Sequence, residues 1–249
     1  PYGSLEKHTG ASLSTLGSRM AAGAPDDESG RGSVYVLESG AGRTWNQVAK
    51  LVPEGGASSG QFGWSVALGE GWLVVGAPLY DSSLQDEGSA ELFKRESSGN
   101  WAWISTISSP SPMADGKFGY ALSVFGDTIA VGAPGEDGGG RCHLFRWDGS
   151  QIQFVATLSR DGINLDAKFG CAVSIYGGGL VVGAEYEEAN NTKQGTAHVF
   201  QKIGDIWAHQ QVLNLPDVDS FACFGHSVSA GIDAIAVGAP GARGSDGAV

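Results

Sequence analysis

Residues 118–134 read FGYALSVFGDTIAVGAP. Two apolar runs flank Gly126-Asp127, a pair suited to a tight reversal, so the stretch reads as a strand, a turn and a second strand. The phrase recurs along the chain. FGWSV starts at Phe62, FGCAVSI at Phe169 and FGHSVSA at Phe224, which spaces the four phenylalanines by 56, 51 and 55 residues. Fourteen residues after each Phe stands the glycine of a second landmark: VVGAP (Gly76, Pro78), AVGAP (Gly132, Pro134), VVGAE (Gly183, Glu185) and AVGAP (Gly238, Pro240). Gly23 of AAGAP bears the same relation to Thr9-Gly10, so a first unit keeps the glycine and lacks the phenylalanine.

The remainder of the unit repeats as well. GSVYVL (32–37), GSAELF (88–93), GRCHLF (140–145) and GTAHVF (195–200) follow the GAP loops, and WNQVAKL (45–51), WAWISTI (101–107), IQFVATL (152–158) and WAHQQVL (207–213) come next. Four short β-rich runs per unit, separated by Gly, Asp and Pro, make an antiparallel four-stranded sheet, and a period of this size is that of a propeller blade. The expected architecture is all-β, a β-propeller with blades at 9–61, 62–117, 118–168, 169–223 and an incomplete 224–249. No sustained helical periodicity appears. The second run of each unit (WLVVGA, TIAVGA, GLVVGA, AIAVGA) is apolar without alternation, which predicts sheets covered on both faces. The repeated Phe62, Phe118, Phe169 and Phe224 are expected to fill the wedge between blades. Gly63, Gly119, Gly170 and Gly225 of FG, and the GAP glycines, are expected to serve a positive φ or a close backbone approach, with Pro ending the strand.

Composition narrows the function classes. Of 249 residues 41% are apolar and 17% charged, the balance of a folded chain, and the 40 glycines lack a collagen period. A net charge of −12 opposes binding to nucleic acid or anionic lipid. No apolar run reaches the length of a membrane span, and PYGSLEKHTG (1–10) is not patterned as a basic-then-apolar leader. Cys142, Cys171 and Cys223 have no metal-ligand spacing and read as buried free thiols.

The FG and GAP landmarks, the G-S-x-Y-V-F-like third run and the W-x-x-x-x-L fourth run resemble the FG-GAP repeat family. That resemblance implies a β-propeller, distantly like those of integrin α-subunits, which bind extracellular ligands. It also implies a seven-bladed ring, of which about four and a half blades are expected here, and a place outside the cell or on its surface. Integrin calcium loops of D-x-D-x-D-G type lie between FG and GAP; here that interval is a bare strand, turn and strand. The chain is thus more similar to the short-interval repeats of secreted or surface proteins.

Carboxylates crowd the loops after GAP: Asp26, Asp27 and Glu28; Asp81, Asp86 and Glu87; Glu136 and Asp137; Glu185, Glu187 and Glu188; Asp246. Solvated turns are the leading reading, with calcium ligation by Asp26, Asp27, Glu28, Asp81, Asp86, Glu136 and Asp137 as the alternative. GASSG (56–60) matches a nucleophile-elbow pattern at Ser58, but the helix that the motif needs is missing from the pattern. His143 and His198 share one repeat position with Tyr35 and Glu91, which favours a structural role; His8, His209 and His226 have no partner assigned by sequence. No phosphate-binding or dinucleotide motif is present. Trp45, Trp101 and Trp207 recur at the fourth run and read as packing; Trp72 falls near a turn where it could stack on a ligand, with packing as the default reading. Asn190 opens an N-N-T glycosylation triplet. The functional expectation is a non-enzymatic binding or adhesion module whose loops engage a protein or glycan ligand. The alternatives are a hydrolase using Glu70, Asp127 and Asp233 near a central channel, or a purely structural repeat.

Overall fold

In each unit the Gly- and Asp-rich punctuation sets where the chain reverses, and the apolar runs between form the strands. The computed structural model describes residues 10–40, 44–54, 60–160, 162, 164–189, 193–215 and 221–242. Ser58, Asn190, Asp246, His8 and Thr9 lie outside the described residues. Two compact units divide the chain, Pro1–Leu122 and Ser123–Val249, and each is described by itself.

The first unit holds two antiparallel sheets in sequential order. One comprises β1 (Ser12–Leu16), β2 (Arg19–Ala24), β3 (Ser33–Ser39) and β4 (Trp45–Leu51); the other β5 (Ser65–Gly69), β6 (Trp72–Ala77), β7 (Ser89–Arg95) and β8 (Trp101–Ile107). A third sheet, β9 (Ala121–Phe125), β10 (Thr128–Ala133), β11 (Arg141–Trp147) and β12 (Ile152–Leu158), begins at the division between the units. The second unit continues with β13 (Phe169–Tyr176), β14 (Gly179–Ala184), β15 (Thr196–Ile203) and β16 (Ile206–Leu213), then the pair β17 (Ser227–Ala230) and β18 (Ile235–Gly238). The fold is all-β, built of four-stranded antiparallel propeller blades. A short α1 (Asp27–Gly30) is one helical turn, broken by left-handed Glu28 and Ser29. Between third and fourth strands every four-stranded blade shifts register once, at Val36/Leu37, Leu92/Phe93, Leu144/Phe145 and Val199/Phe200. Such bulges add local twist to a sheet.

The second strands of the four-stranded blades are the buried spines, whereas in β18 Ile235 and Ala236 are exposed, against the expectation of a strand covered on both faces. All of β6 is buried, and β10 and β14 are buried beyond their first residue, as expected for strands covered on both faces. Phe62, Phe118 and Phe169 are fully buried and Phe224 is 7% exposed. Phe62 packs with Val34 and Val36 of the first blade and meets Phe93 of its own blade edge-on at 5.9 Å. In the second unit Phe224 packs against Val181 and Ala197 of the preceding blade.

The seam between blades is made of backbone. Each FG phenylalanine donates its N–H to the segment entering the preceding blade's third strand: Phe62 to Arg31 O (3.2 Å), Phe118 to Glu87 O (3.0 Å), Phe169 to Gly139 O (2.8 Å) and Phe224 to Gln194 O (2.9 Å). The FG glycine then turns left-handed, with φ of 90°, 87°, 91° and 92° at Gly63, Gly119, Gly170 and Gly225. This aims its carbonyl at the GAP glycine of the blade before. A Cβ on Gly23 would lie 1.9 Å from Gly63 O, one on Gly76 2.1 Å from Gly119 O, and one on Gly183 1.9 Å from Gly225 O. Any side chain there collides with main chain that has no room to retreat. The two expected roles divide between the motifs, positive φ for FG and close approach for GAP at Gly23, Gly76 and Gly183. A third glycine, which the motif reading left without a role, combines both: Gly32, Gly88, Gly140 and Gly195 have φ of 86°, 78°, 96° and 84° and abut the next blade's Phe carbonyl.

Small hydroxyls complete the seam. Ser12 Oγ donates to Gly63 O (2.8 Å) and Ser65 Oγ to Gly119 O (2.7 Å); in the fourth blade Ala172 holds that position and the neighbouring Cys171 Sγ reaches Gly225 O (3.5 Å). Deeper in, Ser14, Ser123 and Ser174 accept the N–H groups of Leu68, Ile175 and Ala230.

Gly23→Ala and Gly76→Ala should each lower stability by roughly 1 to 3 kcal/mol or more, because the added methyl overlaps a carbonyl of the neighbouring blade. Gly71→Ala, where φ is +74° and the space is open, should cost only about 1 kcal/mol. Urea-unfolding midpoints of the three variants check the order.

Candidate functional site

The loops after GAP are where blades differ, and their buried ends carry the charged chemistry. Two residues beyond the proline position stand Asp27, Glu136 and Glu187, against Tyr80 in the second blade. Three residues into the third strand stand Tyr35, Glu91, His143 and His198. The antiparallel ladder folds the loop back over that strand, so the two positions meet. Asp27, 1% exposed, accepts from Ser33 Oγ (2.5 Å), Tyr35 Oη (3.0 Å) and Lys50 Nζ (2.9 Å). Glu136 Oε2 contacts His143 Nε2 at 2.7 Å, and His143 Nδ1 contacts Thr157 Oγ1 at 2.9 Å. Glu187 Oε2 contacts His198 Nε2 at 2.5 Å and Thr196 Oγ1, while its Oε1 accepts from Arg160. The first, third and fourth blades thus carry a carboxylate clasp that pins the loop.

The second blade inverts the pattern. Tyr80 occupies the loop position and the acid moves to Glu91 in the strand, 3% exposed, where it accepts the Glu54 N–H (3.2 Å). Glu87 holds the loop instead, taking the N–H groups of Ser82 (2.7 Å) and Ser83 (2.9 Å). Glu54 follows β4 and Arg160 follows β12, so in both blades the incoming connection also touches the clasp.

At Asp27, Glu87, Glu91 and Glu187 burial acts against the charged form, and the partners decide the outcome. Burial would raise Asp27, but Ser33, Lys50 and Tyr35 hold it at about 2. At Glu87 the loop amides, and at Glu187 His198, Thr196 and Arg160, likewise outweigh burial and keep the group below its usual range. Glu91 goes the other way: burial pushes it up to about 7, against bonds from the Glu54 N–H and Trp103.

The reading of these acids as solvated turns is corrected for Asp27, Glu87, Glu136, Glu185 and Glu187, all under 9% exposed. Each has a hydrogen-bonding or charged partner, in its own loop at Glu87 and in a strand or neighbouring connection at the others, which is why burial is tolerable. Asp26, Glu28, Asp81, Asp137 and Glu188 are exposed, and Asp86 is half-buried. Asp81 accepts the Asp86 N–H (2.6 Å), and Asp137 pairs with Arg141 (3.0 Å). Among the described residues no three His, Cys, Asp or Glu side chains are grouped to hold a metal ion. Glu185, which replaces the GAP proline, contacts His226 Nδ1 (2.7 Å) and Lys168 Nζ (3.3 Å), giving His226 the partner that spacing could not assign.

Of the carboxylates considered for hydrolysis, Asp127 pairs with Arg146 at 2.6 Å, and this pair and Thr128 hold it below its usual range despite burial; Glu70 and Asp233 are exposed in turns of other blades. Trp72 is 5% exposed and lies over Gly69, so it packs rather than offering a stacking face. Trp101 and Trp207 pack too, but Trp45 is 37% exposed. Cys142 and Cys171 are buried thiols, each pushed up to about 12 by burial, and Cys223 is a half-buried thiol. The clasps were detectable as a covarying pattern, GAP-x-[DE] with Gly-x-x-[YH] some residues on, but nothing in either half alone announces the pair.

Blades seamed by glycine and carrying clasped, variable loops define a repeat propeller of the integrin-like class. The FG-GAP repeat profile matches residues 45–93, 101–145 and 153–200, and the chain belongs to the FG-GAP repeat family. It is 34% identical to integrin alpha-7 of Homo sapiens and 33% identical to integrin alpha-7 of Rattus norvegicus, each over 148 residues. Those matches cover 52% of this chain and 12% of the integrin, so the chain spans a small part of the curated relatives it matches. A crystal structure of a protein from Lactobacillus plantarum is similar in fold, with a TM-score of 0.57 and 13% identity over 84% of this chain and 58% of that one. Among the described residues no helix is long and apolar enough to cross a membrane.

The clasps give opposite pH signatures. Glu91 has a folded pKa above its unfolded value near 4.5, so its contribution is fully present below pH 4.5 and is lost as pH rises through about 7. Glu91→Gln should therefore raise the thermal midpoint at pH 8 relative to the wild type, and by less at pH 5, with a ceiling of about 3 kcal/mol. Asp27 has a depressed folded pKa, so its contribution is present above pH 4 and lost as pH falls through about 2. Asp27→Asn should be destabilised at pH 7 and converge on the wild type toward pH 2, measured by the same thermal scans.

Proposed function

We propose that the chain is a non-enzymatic binding and adhesion module, working outside the cell or at its surface, whose propeller loops engage a protein or glycan ligand. The observation that carries this reading is a fixed frame bearing loops of different length. The segments 26–31, 79–87, 135–139 and 186–194 all run from the end of a second strand to the glycine that opens a third, yet beyond the clasp acid of three of them they share little sequence, and they do not keep one length. Both ends are pinned, by the glycine seam and by the clasp, so the exposed middles vary without cost to the blade. Scaffolds that position variable loops on a rigid sheet commonly use those loops for recognition. Kinship with integrin alpha-7 over about half of the chain supports the same reading. A surface of net charge −12 favours a neutral or cationic ligand patch over polyanions.

The test replaces the exposed loop centres, residues 81–85 and separately 137–138, with Gly-Ser sequence, leaving Glu87 and Glu136 in place. On arrays of immobilised glycans and matrix proteins, at least one replacement should weaken the wild-type signal tenfold or more while circular dichroism and the unfolding midpoint stay unchanged. Wild-type binding that survives both replacements, or no wild-type binding on either array, would contradict the proposal.

A further inference from the structure

The fourth blade contains a pairing that the other blades lack. His198 lies on β15, fully buried, and His209 on β16, exposed; the register shift at Val199/Phe200 sets His209 opposite Phe200 and brings its ring to His198. His198 Nδ1 and His209 Nε2 are 3.3 Å apart, with ring centroids at 5.4 Å. In the third blade the same two positions are His143 and Phe154, and His143 Nδ1 meets Thr157 instead. We propose that His198 and His209 form an open two-histidine site for a divalent transition-metal ion of the zinc type, with Glu187 as the positioning carboxylate behind His198.

The geometry suits such an ion. Two imidazole ligands at 2.0–2.1 Å on a tetrahedral centre are separated by about 3.3 to 3.4 Å. The tautomer suits it as well. Glu187 Oε2 takes the Nε2–H of His198, which leaves Nδ1 with its lone pair on the side of His209. A carboxylate behind a histidine is the usual arrangement for orienting a metal ligand. The groups that face the pair are Arg160, Glu187, Thr196 and the rings of Phe169 and Phe200. The Arg160 charge is taken up by Glu187.

Without an ion, the His209 Nε2–H bridges the gap as a donor to His198 Nδ1. Ion entry moves that proton to His209 Nδ1, with no net proton released. Among the described residues no third His, Cys, Asp or Glu joins the set, so water or a donor atom of an incoming ligand takes the other positions. Imidazole donors select Zn2+, Ni2+ or Cu2+ over Ca2+ and Mg2+.

The experiment titrates Zn2+ alone into the purified chain by calorimetry at pH 7.5, with the variant His209→Phe, which installs the third blade's own residue and so keeps the strand pairing. The expected result is one ion per chain, at least tenfold weaker binding in the variant, and Zn2+-induced movement of the His198 and His209 imidazole nitrogen resonances but not those of His143. Equal affinity in the variant, resonance shifts confined to His226, or no heat up to millimolar Zn2+ would overturn the site.

Discussion

Everything in this structure hangs on a carbonyl resting against a bare α-carbon. At Gly23, Gly76 and Gly183 the next blade's FG glycine oxygen occupies the space where a Cβ would stand. The contact sets the distance between neighbouring sheets, and the Phe beside it fills the space opened below. Because the FG glycine is left-handed, the chain reverses there sharply enough for the Phe N–H to pair backward and the strand to run forward. One short motif therefore closes a hydrogen bond, a packing contact and a turn at once, which explains why the motif recurs while the loops drift.

The carboxylate clasps sit on top of that frame and solve a different problem. A loop that varies in length must still return to the same glycine, and a buried acid that needs partners makes that return specific. Burial of an unpaired carboxylate is costly, so a loop folded wrongly would strand Asp27, Glu136 or Glu187 without Tyr35, His143 or His198. The second blade shows that the chemistry, not the order of residues, is what is kept: the acid crosses to the strand as Glu91, and Glu87 takes over the loop amides.

The sequence displayed the frame openly because each glycine or phenylalanine answers a steric demand that few other residues meet. Period, strand number, the covered second strand and the wedge phenylalanines were all legible from the FG and GAP landmarks. The clasps left only a paired trace in the repeat, since the acids in the loops look like solvent-facing turn residues until the ladder brings the third strand beneath them. The bulge between third and fourth strands has no residue signature either. Gln61, Lys117, Lys168 and Cys223, immediately before each Phe, all adopt φ of 55° to 57° with no glycine to announce it. Trp72 follows its default reading as a packing residue despite its place near a turn, because the neighbouring Gly69 leaves room for the indole to fold inward.

The seam is tested most directly by amide hydrogen exchange at the four FG phenylalanines, whose N–H groups exist as protected donors only while each blade grips the one before. The account predicts that Phe62, Phe118, Phe169 and Phe224 exchange as slowly as the second-strand amides of Val75 and Val182, in the class opened by global unfolding. Exchange at the rate of exposed loop amides such as Asp81 would contradict it.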